Sequence, residues 1–124
     1  TLPFPYCVAA GESLLNKFNH NQFVKGITAT APGFYGPQGR QIKLPTTLPQ
    51  LNENLSTFTF EQNRIINFEM ETSAIYGLGN ILGHHCLSIS AIVANRITKE
   101  FSKDGAATVE NLIKKSLEII SNTL

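Results

Sequence analysis

Three short stretches of this chain hold side chains that could do chemistry together. The first, Phe34-Tyr35-Gly36-Pro37-Gln38-Gly39-Arg40, offers aromatic rings, a primary amide and a guanidinium. The second, Glu69-Met70-Glu71, sets two carboxylates around the only methionine. The third closes an apolar run as Val93-Ala94-Asn95-Arg96. A flat heterocycle stacks on an aromatic ring. The amide of a Gln presents a donor and an acceptor side by side, matching an amide-like edge, and Arg adds a donor for a carbonyl. A carboxylate accepts strongly from vicinal hydroxyls, and a Met packs softly beneath a sugar ring. A base joined to a sugar is a nucleoside.

Secondary structure must bring these stretches together. Leu14, Leu15 and Phe18 share one face of a helix expected over 9–19, and 24–31 reads as a short β-branched strand. The glycines and prolines of 32–40 demand a loop. Residues 41–63 are polar, proline-rich and without clear period, so a long surface excursion or flap is expected there. Residues 64–70 alternate as a strand. From Thr72 onward Ala74, Ile75, Leu78, Ile81 and Leu82 recur at helical spacing, interrupted by Gly77, Gly79 and Gly83. Those glycines predict a close approach of another backbone. Residues 86–95 read as a continuous apolar strand of the buried type. The last helix carries a stripe of Val109, Leu112, Ile113, Leu117 and Ile120, with Lys114 and Lys115 outside it. The order is that of an α/β domain with a mainly parallel or mixed sheet. In such a sheet ligands gather at the carboxyl ends of the strands, which is where the three stretches fall.

Bulk properties narrow the function. A chain of 124 residues suits one domain that buries about two thirds of its unfolded surface. A formal charge of +1 implies no basic face for nucleic acid or anionic membrane. No apolar run approaches the roughly 20 residues of a membrane span. Cys7 and Cys86 do not make a disulfide framework and read as reduced thiols of a cytoplasmic protein. No metal is expected: His84-His85-Cys86 are too close in sequence to chelate one ion, and the two histidines suit a helix end. His20 has no motif around it. The start at Thr1, with prolines and no capped element, predicts a piece of something longer.

"GFYGPQGR" followed by "NFEMETSAIYGL" resembles the nucleoside phosphorylase family, in its uridine phosphorylase branch. That branch pairs a "FYPGQER" loop with an "EMES"-like segment and an apolar strand ending in "VNR". Here the counterparts are "FYGPQGR", "EMET" and "VANR". The resemblance runs along almost the whole chain but matches only the carboxyl-terminal half of such an enzyme. It implies a three-layer α/β fold, a mixed central sheet flanked by helices, with residues 1–124 as the carboxyl-terminal part of a single domain.

The resemblance also implies roles. Phe34, with Tyr35 beside it, would stack near base and ribose. Gln38 and Arg40 would bond the pyrimidine edge and stabilise charge on the leaving base. Glu69 and Met70 would line the ribose site, and Glu71 would accept from the ribose hydroxyls and serve the reaction with Gln38 and Arg40. Val93 and Ala94 would pack beside the base, and Arg96 would hold the base loop. No cofactor is implied. Inorganic phosphate is the co-substrate, its ligands lie in the amino-terminal half, and the protein is a homo-oligomer of dimer units or a hexamer.

Two departures stand out. Gly36-Pro37 inverts the family's Pro-Gly, and Gly39 replaces a frequent Glu, so the turn can differ. The acid that purine phosphorylases and nucleosidases place at the end of the third strand is absent from "SAIVANR", which favours a pyrimidine. The alternatives are a purine phosphorylase or nucleosidase, and a nucleoside-binding module without catalysis. On residue chemistry alone, Glu69 also reads as a structural partner of an Arg, and Glu71 as a carboxylate at a helix start.

Overall fold

The structure, a computed structural model, describes residues 4–19 and 22–122. Thr1 and His20 therefore lie outside the described residues. The elements run α1 (Glu12–Lys17), β1 (Ile27–Thr30), a 3-10 turn (Gly36–Gln38), α2 (Leu51–Thr57), β2 (Thr59–Phe60), β3 (Asn63–Glu69), α3 (Thr72–Ile81), β4 (Ala94–Asn95), β5 (Glu100–Phe101) and α4 (Gly105–Ser121). The chain is α/β with a mixed sheet, as expected. β3 is central: β1 pairs with it in parallel and β2 antiparallel. The β1–β3 register sets Thr30 beside Glu69, so both strands end together.

Two expectations fail. The excursion at 41–63 contains α2 and β2. Leu51 and Leu55 supply too few apolar residues to show a period, and the helix is only seven residues long. The strand expected at 86–95 shrinks to Ala94–Asn95, paired with Glu100–Phe101. A buried strand needs cover on both faces, and Ile92 and Val93 lie about half exposed. Residues 86–90 instead attach by side chains and single bonds: Asn67 Nδ2 donates to Ser90 Oγ (3.0 Å), the Ser88 amide to Tyr76 Oη (2.7 Å), and the Gly11 amide to the Cys86 carbonyl (2.7 Å).

Gly77 and Gly79 of α3 and Gly83 beyond its end serve different ends, and what comes closest is a side chain rather than the backbone expected. Gly79 is approached closely by the side chain of Cys86, Gly77 faces open space, and Gly83 (φ 75°) ends the helix. There the His84 amide returns to the Gly79 carbonyl (2.7 Å) and the Gly83 amide to that of Asn80 (3.3 Å), a paired cap that satisfies two otherwise orphaned carbonyls. The histidines thus follow the helix end. α4 begins at Asp104, whose carboxylate accepts from the Ala107 amide (2.9 Å).

Burial is where this chain differs most from its size class. A monomer of this mass ordinarily exposes roughly 6,600 Å², whereas this chain exposes 9929 Å². The buried apolar residues among those described are Phe18 and Ala31. Val109, Ile113 and Leu117 keep the spacing of the α4 stripe, yet all three are exposed, as are Ile75, Leu78 and Ile81 of α3. The expectation of a two-thirds buried surface is corrected: the chain buries about half, taking an unfolded reference of roughly 1.45 Å² per dalton.

Candidate active site

The loop after β1 folds back on itself. The Gln38 and Arg40 amides both bond the Tyr35 carbonyl (3.1 and 2.9 Å), and the Gly39 amide bonds that of Gly36 (2.9 Å). Gly39 closes the turn in the left-handed region at φ 72°. A Cβ there would also lie 2.7 Å from Nδ2 of Asn52, so α2 packs against the turn. The inverted Gly36-Pro37 and the Gly39 substitution fit this geometry, because Pro37 supplies the fixed φ inside a 3-10 turn and Gly39 the positive φ at its end. We predict that Gly39→Ala lowers stability by about 1–2 kcal/mol, from left-handed strain alone. The check is a urea midpoint that falls at constant m value. An unmoved midpoint would show that the turn relaxes freely.

Gln38 is the centre of the cluster. It is only 4% exposed, which excludes a solvated loop residue. Its Oε1 accepts from Nη1 of Arg40 (2.8 Å) and from Nη2 of Arg96, while Arg96 Nη1 donates to the Gln38 carbonyl (2.8 Å). Arg40 also donates to the Phe34 carbonyl, and its guanidinium carbon lies 3.6 Å from the centre of the Phe34 ring. Tyr35 meets Phe34 edge-on, with centroids 5.3 Å apart. Arg96 lies 5.0 Å over the ring of Phe68, on β3. Burial, followed by the neighbouring charge of Arg40, pulls the Arg96 pKa down from its usual value. Two cations share one amide oxygen. The donor-plus-acceptor reading of Gln38 is thereby narrowed: its oxygen is engaged, while Nε2 makes no hydrogen bond to the described residues and remains available as a donor.

The second cluster stands at the end of β3. Glu69 Oε2 accepts from the amides of Glu71 (2.7 Å) and Thr72 (2.6 Å), and Oε1 accepts from the hydroxyl of Thr30. Thr30 Oγ1 in turn accepts from the Ser73 amide (3.0 Å). Burial raises the Glu69 pKa, but the bonds from Thr30, Glu71 and Thr72 outweigh it and hold the carboxyl below its usual value of 4.5. The stabilisation from these bonds is therefore complete above about pH 4.5 and is lost as pH falls through the lowered folded value. Glu69, not Glu71, is the helix-start carboxylate. Its partners are amides and a hydroxyl, not an arginine. The Glu71 side chain makes no ion pair or hydrogen bond with the described residues and is exposed, as is Met70.

The structure thus joins Phe34, Tyr35, Gln38, Arg40 and Arg96 in one network, and Glu69 and Glu71 in a second at the adjoining strand end. Val93 and Ala94 sit in the hairpin that carries Arg96: the Val93 carbonyl accepts from Ser102 (2.9 Å), and Ala94 pairs with Phe101. Sequence reasoning missed Thr30, Phe68 and Asn52. Thr30 had no local signal, since only the parallel register of β1 and β3 sets it beside Glu69. Phe68 and Asn52 had none. Among the described residues no group of three or more His, Cys, Asp or Glu is arranged to hold a metal. No helix among them is long and apolar enough to cross a membrane. Cys7 and Cys86 are free thiols.

The mixed α/β fold of this chain is shared with known proteins. Residues 2–123 match the family model of the phosphorylase superfamily, and the chain belongs to that family. It is 36% identical over 96 residues to a uridine phosphorylase of Thermococcus kodakarensis, covering 77% of this chain and 34% of the relative. It also superposes on a crystal structure of a Trypanosoma brucei nucleoside phosphorylase described as showing uridine phosphorylase activity. The TM-score is 0.72 at 27% identity, over 91% of this chain and 41% of that one. The chain therefore spans about a third to two fifths of the length of these relatives.

Proposed function

We propose that residues 1–124 are the carboxyl-terminal part of a single nucleoside phosphorylase domain that cleaves uridine-type nucleosides. Phosphate attacks the anomeric carbon as the glycosidic bond breaks. The bonding pair leaves with the base, giving ribose 1-phosphate and free pyrimidine. The observation that carries this reading is the buried Gln38, locked by Arg40 and Arg96 beside the Phe34 ring. A buried amide with a free Nε2 donor is suited to a carbonyl of the base. The two guanidiniums supply fixed positive charge where the departing base gathers negative charge, so they stabilise the transition state more than the ground state. Glu71, with its carboxylate unengaged, accepts from the ribose hydroxyls. Met70 lines the sugar, and Val93 and Ala94 border the base.

In this reading no cofactor takes part, and the protein is a cytoplasmic homo-oligomer of nucleoside catabolism and pyrimidine salvage. The test uses the polypeptide in which these residues form the carboxyl-terminal part of a complete phosphorylase domain. Uridine should be consumed, with ribose 1-phosphate formed, only when phosphate is present. Faster turnover of inosine, or equal turnover without phosphate, would overturn the assignment.

A further inference from the structure

The acidic strand end contains a chain of contacts that the proposed reaction does not yet use. Thr30 Oγ1 donates to Glu69 Oε1 and accepts from the Ser73 amide at 3.0 Å, so one hydroxyl ties the end of β1 both to the end of β3 and to the first turn of α3. Glu69, held on one oxygen by Thr30, uses the other to grip the Glu71 and Thr72 amides at 2.7 and 2.6 Å. Glu71 is thereby fixed through its backbone while its carboxylate engages none of the described residues. The Glu71 carboxylate is thus exposed and unengaged on a backbone held from two strands, open to a ligand. Thr30 is the only group in this chain of contacts that both donates and accepts through one atom. A Ser can reproduce that, and an isosteric Val cannot.

We propose that Thr30 is a positioning residue for Glu71, acting through Glu69 to set where the Glu71 carboxylate meets the hydroxyls of a bound sugar. The inference rests on the nucleoside reading above, but one arm of its test does not. In that arm, protein labelled with carbon-13 at the glutamate carboxyls is titrated by NMR, with Glu69→Gln assigning the Glu69 signal. Thr30→Val should move the Glu69 midpoint upward toward the ordinary value, and Thr30→Ser should leave it where it is. In the second arm, the phosphorylase-length polypeptide is assayed with uridine and saturating phosphate. Thr30→Val should raise KM for uridine about tenfold with kcat little changed, as the loss of one aimed hydrogen-bonding group predicts, and Thr30→Ser should restore it.

Equal loss in Thr30→Ser and Thr30→Val, a fall in kcat with KM unchanged, or a Glu69 midpoint indifferent to Thr30→Val would each overturn the role. A wild-type protein inert toward uridine would remove the function proposed above. The carboxyl titration would then still decide whether Thr30 controls Glu69.

Discussion

Incubated alone with uridine and phosphate, this 124-residue chain should form no ribose 1-phosphate. The cations placed at the candidate site are held at the loop. Arg40 Nη1 bonds Gln38 and the Phe34 carbonyl, and Arg96 bonds Gln38 through both terminal nitrogens. The strand end where the sugar would lie presents carboxylates, and neither Glu69 nor Glu71 forms an ion pair among the described residues. A phosphate dianion brought there meets negative charge. Without bound phosphate the anomeric carbon has no nucleophile, and no ribose 1-phosphate can form. Losing even one group aimed at developing charge costs about a hundred- to a thousandfold in rate, and here the whole anion would be lost. The family resemblance places the phosphate ligands in the amino-terminal part, beyond what this chain spans. The chain should also self-associate, because the exposed apolar faces of α3 and α4 offer more surface to a partner than to water. A phosphorolysis assay and sedimentation velocity decide both points. Robust turnover would place the phosphate site within these residues, and a well-behaved monomer would show that the exposed faces are tolerated.

Replacing Gln38 by Ala in an active polypeptide should reduce kcat/KM for uridine by about 2–3 kcal/mol, equivalent to roughly 30- to 150-fold. The substitution removes the donor offered to the base. It also removes the oxygen that accepts from both guanidiniums and holds them together against their mutual repulsion. Leaving two cations short of a partner at a half-buried site is expensive in itself. Steady-state kinetics is the measure. Unchanged kcat and KM would return Gln38 to a structural role in the loop.

The strand–loop–strand–helix passage was legible because its signals are local. Three glycines and two prolines in 32–40 leave no choice but a loop, and the alternation of 64–70 leaves no choice but a strand. The pairing of Gln38 with Arg40, two residues on, could be read from spacing. The pairing of Gln38 with Arg96, 58 residues away, could be guessed only from the resemblance. Glu71, adjacent to the first residue of α3, reads from sequence as the helix-start carboxylate, whereas the structure gives that role to Glu69. The decision comes from Thr30, brought alongside Glu69 by parallel register, and no local pattern reports register across 39 residues. The strand at 86–95 was overread because apolar composition says that cover is wanted, not that these residues supply it. The helix at 51–57 was missed because it rests on β3 and on the turn at Gly39 with only Leu51 and Leu55 apolar, too few to show a period.

The sharing of one amide oxygen between two guanidiniums also constrains how this site can change over generations. Replacing either arginine by a neutral residue leaves the other a simpler bond but unseats Phe34 or the β4–β5 hairpin. Replacing Gln38 by Glu would bind both cations more tightly, yet remove the amide donor of Nε2. Replacing it by a hydrophobe strands both charges. Positions 38, 40 and 96 therefore have few viable single steps between them. A lineage that alters this cluster must change at least two of the three together, or first pass through an ancestor with a weakened one.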